Sequence, residues 1–190
     1  MGEDASEQKD EEIVHLVQSG KIELFSVLIK RYENKIRRYA KKFLSNKEDI
    51  NDVVQDIFLK AYANIQSFDL ERRFSSWFYR IAHNELINVL KKRNKKTLSF
   101  FDLDTFLPHS LSRNNIDNGI KRKEIKEMVD KCLDKLEVKY REPIILYYLE
   151  ELSYKEIADV MQIPISTVGV RIKRGKKKLK TIYKKLGYEL

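Results

Sequence analysis

The sequence predicts an all-α protein made of two small helical domains joined by a flexible linker. Apolar residues recur at helical spacing over most of the chain, which has only six glycines and three prolines in 190 residues. The periodicity stops over residues 96–119, where Ser, Asn, Asp and scattered aromatic residues replace it. We therefore expect a disordered amino terminus over residues 1–11, a first domain over 12–95, a linker over 96–119 and a second domain over 120–190.

The first domain is predicted to contain three amphipathic helices. Their apolar residues run from Ile22 to Phe43, from Ile50 to Ile65 and from Phe74 to Leu90. Glu85 interrupts the third stripe. Core packing is the simplest interpretation of all three.

The second domain begins with two predicted helices. One carries apolar residues from Ile125 to Leu136, and the other is the dense apolar run of residues 144–149, with Pro143 expected in its first turn. Cys132, the only cysteine, lies in the first of these patterns and is expected to be a small core residue.

A helix-turn-helix follows in residues 153–168 (SYKEIADVMQIPISTV). Ser153 and Glu156 have the spacing of a capping box, which predicts a short helix from about Tyr154. Pro164 interrupts that pattern, and Ser166 is expected to be the N-cap of a second helix.

That second helix combines an apolar stripe with a basic outer face. The inward stripe runs from Ile165 through Val168, Ile172 and Gly175 to Leu186. Residues 171–185 include nine lysines and arginines and no carboxylate. A solvated basic helix is the plain alternative, but the capped helix, the turn and the exposed arginines favour DNA recognition. The residues expected to face outward are Ser166, Thr167, Val170, Arg171, Arg174 and Lys178.

The outer side of the Phe74 helix suggests a second contact, with single-stranded DNA. Ser76, Arg80, His83, Asn84 and Lys91 share it, and the basic run KKRNKK follows. Positive charge suits phosphate, rings suit base faces and an amide suits a base edge. Periodicity nevertheless favours core positions for the neighbouring Trp77 and Phe78.

Composition narrows the classes of function. The net charge of +9 favours a nucleic-acid partner. The three histidines lack zinc-ligand spacing, so we expect no metal, cofactor or small-molecule substrate. No apolar run reaches the roughly 20 residues that cross a bilayer, and we expect a cytoplasmic protein.

Together these motifs resemble the extracytoplasmic-function (ECF) sigma factors, a compact group of bacterial transcription initiation factors. The resemblance covers residues 12–95 and 120–188. Four segments carry it in order: residues 25–32, 52–62 (DVVQDIFLKAY), 74–84 (FSSWFYRIAHN) and 152–168.

The resemblance implies roles for individual residues and partners. The first domain would recognise and melt the −10 element and dock on the β′ clamp helices of core RNA polymerase, and the second would read the −35 element and meet the β flap. An anti-sigma factor, possibly membrane-anchored, is a further expected partner. Implied −10 residues are Phe68, Asp69, Leu70, Glu71, Arg80, Asn84, Lys91, Lys92 and Arg93. Implied −35 residues are Ser166, Thr167, Arg171, Arg174 and Lys178, and implied polymerase contacts are Asp52, Gln55 and Asp56.

The chain departs from the family pattern at Gly169-Val170, where relatives often carry a basic or polar pair. A glycine inside a helix costs roughly 0.5 to 1 kcal/mol against alanine. The linker, with Phe100, Phe101 and Phe106, either threads toward the polymerase RNA channel as in relatives or is a plain tether.

Two rival functions remain open at this point. A free-standing helix-turn-helix regulator would bind duplex DNA tightly without polymerase. An enzyme using Cys132 or the histidines is the other rival, although no nucleophile–base spacing supports it.

Overall fold

The computed structural model describes residues 8–93 and 120–188, which form eight α-helices and contain no β-strand. The helices fall into two compact units, of which the first takes in the helices up to Arg93 and the second most of the chain after it. The all-α, two-domain prediction is confirmed. The predicted linker at residues 96–119 and its aromatic residues lie outside the described residues.

The first unit contains four α-helices and two short 3-10 segments. The α-helices are α1 (Asp10–Gln18), α2 (Phe25–Ala40), α3 (Lys47–Asn64) and α4 (Phe74–Arg93). One 3-10 segment, Ile22–Leu24, directly precedes α2, and the other, Ile65–Ser67, directly follows α3. α3 begins where it does because the Asn46 side chain accepts hydrogen bonds from the free amides of Glu48 and Asp49.

Aromatic rings form the core of this unit. Phe74 and Phe78, one turn apart on α4, stack with their centroids 5.5 Å apart, and Tyr32 of α2 meets both edge-on. Phe58 of α3 also packs on Phe78, with 5.1 Å between the ring centroids. The predicted core position of Phe78 is confirmed, since only 1% of it is exposed.

Helix α1 begins inside the segment expected to be disordered. Asp10, Glu11 and Glu12 form its first turn, where negative charge is favourable beside the free amide groups. Its opposite face buries Ile13, Val14 and Val17 completely.

The second unit contains α5 (Ile120–Asp134), α6 (Val138–Tyr148), most of α7 (Tyr154–Met161) and α8 (Ile165–Lys185). The predicted position of Pro143 in the first turn of α6 is wrong, because α6 begins five residues earlier and Pro143 lies in its interior. Proline has no amide hydrogen, so α6 lacks the bond from residue 143 to the carbonyl of Lys139.

Arg141 joins α6 to the end of α5. Its guanidinium donates to the carbonyl oxygens of Asp134 at 2.6 Å and Leu136 at 2.9 and 3.1 Å, and burial lowers its pKa. Carbonyl groups at a helix end have no partner within the helix, so this buried side chain satisfies the last carbonyl of α5 and the Leu136 carbonyl just beyond it.

The predicted helix-turn-helix is confirmed, with two corrections at its second helix. The Ser153 amide donates to the Glu156 carboxylate at 2.8 Å, as a capping box requires, and α7 ends before Gln162, whose φ is +54°. However, α8 begins at Ile165 with Pro164 as its N-cap, so Ser166 lies in the first turn. Ile165 is also 51% exposed rather than inward-facing, whereas Val168, Ile172 and Gly175 are buried.

Two negative findings apply to the described residues alone. No helix within 8–93 or 120–188 is long and apolar enough to cross a membrane. In the same ranges no three His, Cys, Asp or Glu side chains come together as a metal ion would require.

Candidate nucleic-acid interface

Helix α4 presents a polar stripe to solvent on the side opposite its aromatic core face. Arg80, Asn84, Asn88 and Lys91 follow one another at spacings of three or four residues, and all four side chains are exposed. Trp77 continues the stripe toward the amino-terminal end of the helix and is half-buried. The stripe therefore offers one ring, two amides and two positive charges along one line.

The stripe ends at the loop of residues 68–73, which enters α4 and which we call the 68–73 loop. Phe68 is 5% exposed, and its ring packs on Phe74 at 5.8 Å and Trp77 at 5.2 Å. The Asp69 side chain accepts from the Glu71 amide at 3.0 Å, and the Asp69 carbonyl accepts from the Arg72 amide at 3.0 Å, which closes a tight turn. Phe68 thus supports the loop from beneath, while Asp69, Leu70 and Glu71 are exposed at its tip.

Glu85, which interrupts the apolar stripe of α4, has a partner on α3. Its carboxylate lies 2.6 Å from the Lys60 ammonium, and its side chain is only 12% exposed. The pair fixes α4 against α3 next to the polar stripe. Lys92 at the end of α4 is also exposed, and Arg93 is the last residue of that helix.

Helix α3 exposes a second, acidic stripe. Asp52, Gln55 and Asp56 are all exposed, and Leu59 extends their line with 58% of its surface exposed. An exposed leucine flanked by carboxylates suits a partner that offers an apolar contact among basic residues.

On α8 the predicted DNA-reading residues share one face. Thr167, Arg171 and Arg174 are spaced by four and three residues, and Ser166 lies beside them in the first turn. Ser166 and Arg174 are exposed, while Thr167 and Arg171 are half-buried. Within the first turn the Thr167 amide already donates to the Pro164 carbonyl at 2.9 Å.

Lys178, further along this face, has a partner within the protein. Its ammonium donates to the Glu137 carboxylate and lies 5.1 Å from the centre of the Tyr140 ring. The hydrogen bond from Lys178 holds the pKa of Glu137 below its ordinary value, and Lys139 adds to the effect. Lys178 therefore ties α8 to the start of α6.

Gly169 sits under an aromatic ring. A Cβ at this position would stand 3.5 Å from a ring carbon of Tyr154, and Tyr154 in turn meets Tyr147 at 5.1 Å between centroids. α8 runs through Gly169 without a break.

Comparison with known proteins assigns both units to one family. Residues 28–96 match the model of sigma-70 region 2, and residues 126–179 match that of sigma-70 region 4. The chain is 33% identical over 172 residues to the ECF RNA polymerase sigma factor SigW of Bacillus subtilis. The aligned residues cover 86% of this chain and 91% of SigW. The chain belongs to the ECF family of RNA polymerase sigma factors.

Other ECF sigma factors are similar to this chain over most of its length. The sigma-E factor of Escherichia coli is 32% identical over 174 aligned residues, which cover 88% of this chain and 90% of the sigma-E factor. The solved structure of CnrH in complex with the cytosolic domain of CnrY has a TM-score of 0.69 at 26% identity, and covers 92% of this sigma factor and 97% of CnrH. The sigma factor RpoE of Bartonella quintana, solved with the anti-sigma factor NepR, has the same fold, with a TM-score of 0.69 at 24% identity.

The predicted family and function are therefore confirmed, and the free-standing regulator and enzyme interpretations lose their support. Sequence analysis did not single out three polar residues that lie on or next to this interface. Asn88 lies on the polar stripe of α4 and could have been found by extending the spacing of Arg80 and Asn84. Glu11 and Gln18 of α1 hydrogen-bond to backbone groups of residues 65, 68 and 74, and partners about 50 or more residues away along the chain leave no local pattern in the sequence.

Proposed function

We propose that this sigma factor gives core RNA polymerase its promoter specificity through two separate DNA contacts. The first unit captures single-stranded bases of the −10 element, and the second reads the −35 duplex. The protein does no chemistry of its own and works in the bacterial cytoplasm. Its contribution is binding energy applied to strand separation.

The observation that carries this proposal is the exposure of both predicted DNA-reading faces. Arg80 and Asn84 on α4, and Ser166 and Arg174 on α8, are exposed to solvent, while the opposite faces of both helices pack inward. Polar side chains held on a helix are more precisely placed than those on a loop.

In the −10 contact, Asn84 pairs with the edge of a flipped base and the 68–73 loop shapes the pocket that receives it. Arg80, Lys91, Lys92 and Arg93 hold phosphates, and Asn88 adds an amide to the same stripe. Extracting a base costs a few kcal/mol of stacking and pairing, which these contacts offset. Phe68 acts from beneath, since its ring is buried.

In the −35 contact, the first three turns of α8 enter the major groove. Arg171 and Arg174 suit guanine, to which an arginine can donate two hydrogen bonds. Ser166 and Thr167 suit bases or phosphate. Lys178 takes part only by exchanging its Glu137 partner for phosphate, so we assign it the smallest share.

The acidic stripe of α3 is the proposed contact with the β′ clamp helices. Asp52, Gln55 and Asp56 would pair with basic clamp residues around Leu59, whose exposed side chain supplies apolar area. The second unit would meet the β flap.

An inhibitory partner is also proposed. The complex of CnrH with the cytosolic domain of CnrY supports this, because CnrH is similar to this chain over nearly its whole length. We propose an anti-sigma factor, anchored in the membrane, that holds the protein inactive.

Transcription from a genomic DNA library by purified bacterial core polymerase, with and without this chain, tests the proposed function. Sequencing of RNA 5′ ends should reveal a set of start sites that requires the chain and shares a −35 and a −10 motif. A gel shift with the chain alone should give weak binding to the same DNA. Tight specific binding without polymerase, and start sites that do not depend on the chain, would identify a free-standing regulator instead.

A further inference from the structure

We propose that helix α1 is a positioning element for −10 recognition, in which Glu11 and Gln18 fix both ends of the segment that presents the 68–73 loop. The inference rests on the proposed role of that loop in reading a flipped base. Residues matched to sigma-70 region 2 begin at residue 28, so α1 lies outside the matched stretch.

Gln18 holds the start of the segment. Its side-chain amide donates to the carbonyl oxygen of Ile65 at 2.8 Å and to that of Phe68 at 3.0 Å. A side-chain amide has two N–H donors, and both have an acceptor here. The two carbonyl groups bracket the 3-10 turn that leads into the 68–73 loop, so one side chain fixes the path of that turn.

Glu11 holds the end of the segment. Its carboxylate accepts from the backbone amide of Phe74 at 2.8 Å. Phe74 is the first residue of α4, where amides have no partner within the helix and a negative charge is favourable. Glu11 and Gln18 are seven residues apart on α1, or two helical turns, so both reach the segment from one face.

α1 is in turn fixed to the core. Asp10 accepts from the Arg31 guanidinium at 2.6 Å and from the Tyr32 hydroxyl at 2.5 Å. The Tyr32 ring meets Phe74 and Phe78 of α4 edge-on. The positioning contacts therefore come from a helix that is held at its own start.

This arrangement leaves only the tip of the loop free. Both ends are hydrogen-bonded to α1, and Phe68 is buried, whereas Leu70 and Glu71 remain exposed. A loop held in its bound shape before the base arrives loses less conformational entropy on binding. Base preference should consequently depend on Glu11 and Gln18, although neither would touch the base.

Three variants and one control test this in the full chain. Gln18→Leu removes both donors at similar volume, and Glu11→Ala removes the acceptor. Glu11→Gln keeps an acceptor oxygen and should behave like the unaltered protein. Glu23→Ala is the matched control, because Glu23 is exposed and lies outside α1, in the 3-10 segment between α1 and α2.

Each variant is assembled with core polymerase and offered a pool of forked DNA whose single-stranded −10 segment is randomised. Bound DNA is sequenced, and affinity for core is measured separately. For Gln18→Leu and Glu11→Ala we expect the preference at one base position to fall about three- to tenfold, as loss of a hydrogen bond would give. The other positions and core affinity should stay unchanged.

Unchanged preference in both variants would overturn the inference. An equal loss at every position together with weaker core binding would also overturn it, because that pattern marks general destabilisation. If the unaltered holoenzyme enriches no motif at all, the proposed function itself fails, and the inference fails with it.

Discussion

At the scale of single residues, contacts made within the fold decide which predicted site residues remain available to a partner. Lys178 was predicted from its place on the outer face of α8, but Glu137, 41 residues earlier, holds it. Phe68 was predicted in the base-reading loop, but its ring is buried against Trp77. Spacing predicts which face of a helix a residue occupies, but it cannot predict a partner such as Glu137, which lies on another element.

The Glu137–Lys178 pair makes a pH-dependent contribution to stability. Because the folded pKa of Glu137 lies below its ordinary value, the contribution is present above about pH 4.5 and is lost as the pH falls through the folded pKa. Both side chains are partly exposed, so we expect less than about 1 kcal/mol.

Urea unfolding of the unaltered chain and of Glu137→Gln between pH 7 and pH 3 measures this contribution. Fluorescence of Trp77, the only tryptophan, reports on unfolding of the first unit. Circular dichroism reports on both units, so the part of its transition that fluorescence does not follow belongs to the second unit. The difference between the two proteins should shrink as the pH falls. Glu151→Gln, at an exposed position, is the control. The role of the pair would be contradicted if the difference in unfolding free energy did not change with pH, or if Glu151→Gln gave the same difference.

At the scale of elements, the long helices followed from the sequence, but several of their ends did not. The stripes of α2, α3 and α4 were predicted because each packs one face inward. α1 was missed in part because its acidic first turn reads as a polar terminus. The start of α6 was misplaced because proline favours the first turn of a helix, whereas α6 tolerates Pro143 in its interior while Arg141 holds the end of α5.

Two glycines in α8 should respond oppositely to alanine. At Gly169 a Cβ would be in ordinary contact with Tyr154, so Gly169→Ala should stabilise the second unit by about 0.5 to 1 kcal/mol through helix propensity. At Gly175 a Cβ would lie 2.6 Å from the Ile144 side chain and 3.3 Å from the Tyr140 carbonyl, because α8 and α6 pack closely there. Gly175→Ala should therefore destabilise by about 1 to 3 kcal/mol.

Urea unfolding followed by circular dichroism compares the two variants directly, and each serves as the control for the other. Destabilisation by Gly169→Ala would mean that the Tyr154 ring cannot accommodate a methyl group. A neutral Gly175→Ala would mean that α6 and α8 can move apart without cost.

At the scale of the whole molecule, the protein consists of two helical units whose helices pack their apolar faces inward and expose polar stripes to solvent. The first unit offers a polar stripe on α4 and an acidic stripe on α3, and the second offers the first turns of α8. The proposed function divides the work among these surfaces: we expect α8 to bring polymerase to the promoter, α4 to help open the duplex, and α3 to hold the polymerase.

The most direct test of that division compares Asn84→Ala and Arg171→Ala in polymerase holoenzyme at a promoter that requires this chain. Recruitment is measured by gel shift at a temperature that keeps the duplex closed, and opening by permanganate reactivity after warming. Arg171→Ala should weaken recruitment about tenfold, since an arginine–guanine contact contributes about 1 to 3 kcal/mol, and should open normally once bound. Asn84→Ala should bind as before and open at least about tenfold more slowly, because a captured base offsets a few kcal/mol. An equal loss of opening in both variants, with recruitment intact, would contradict the account.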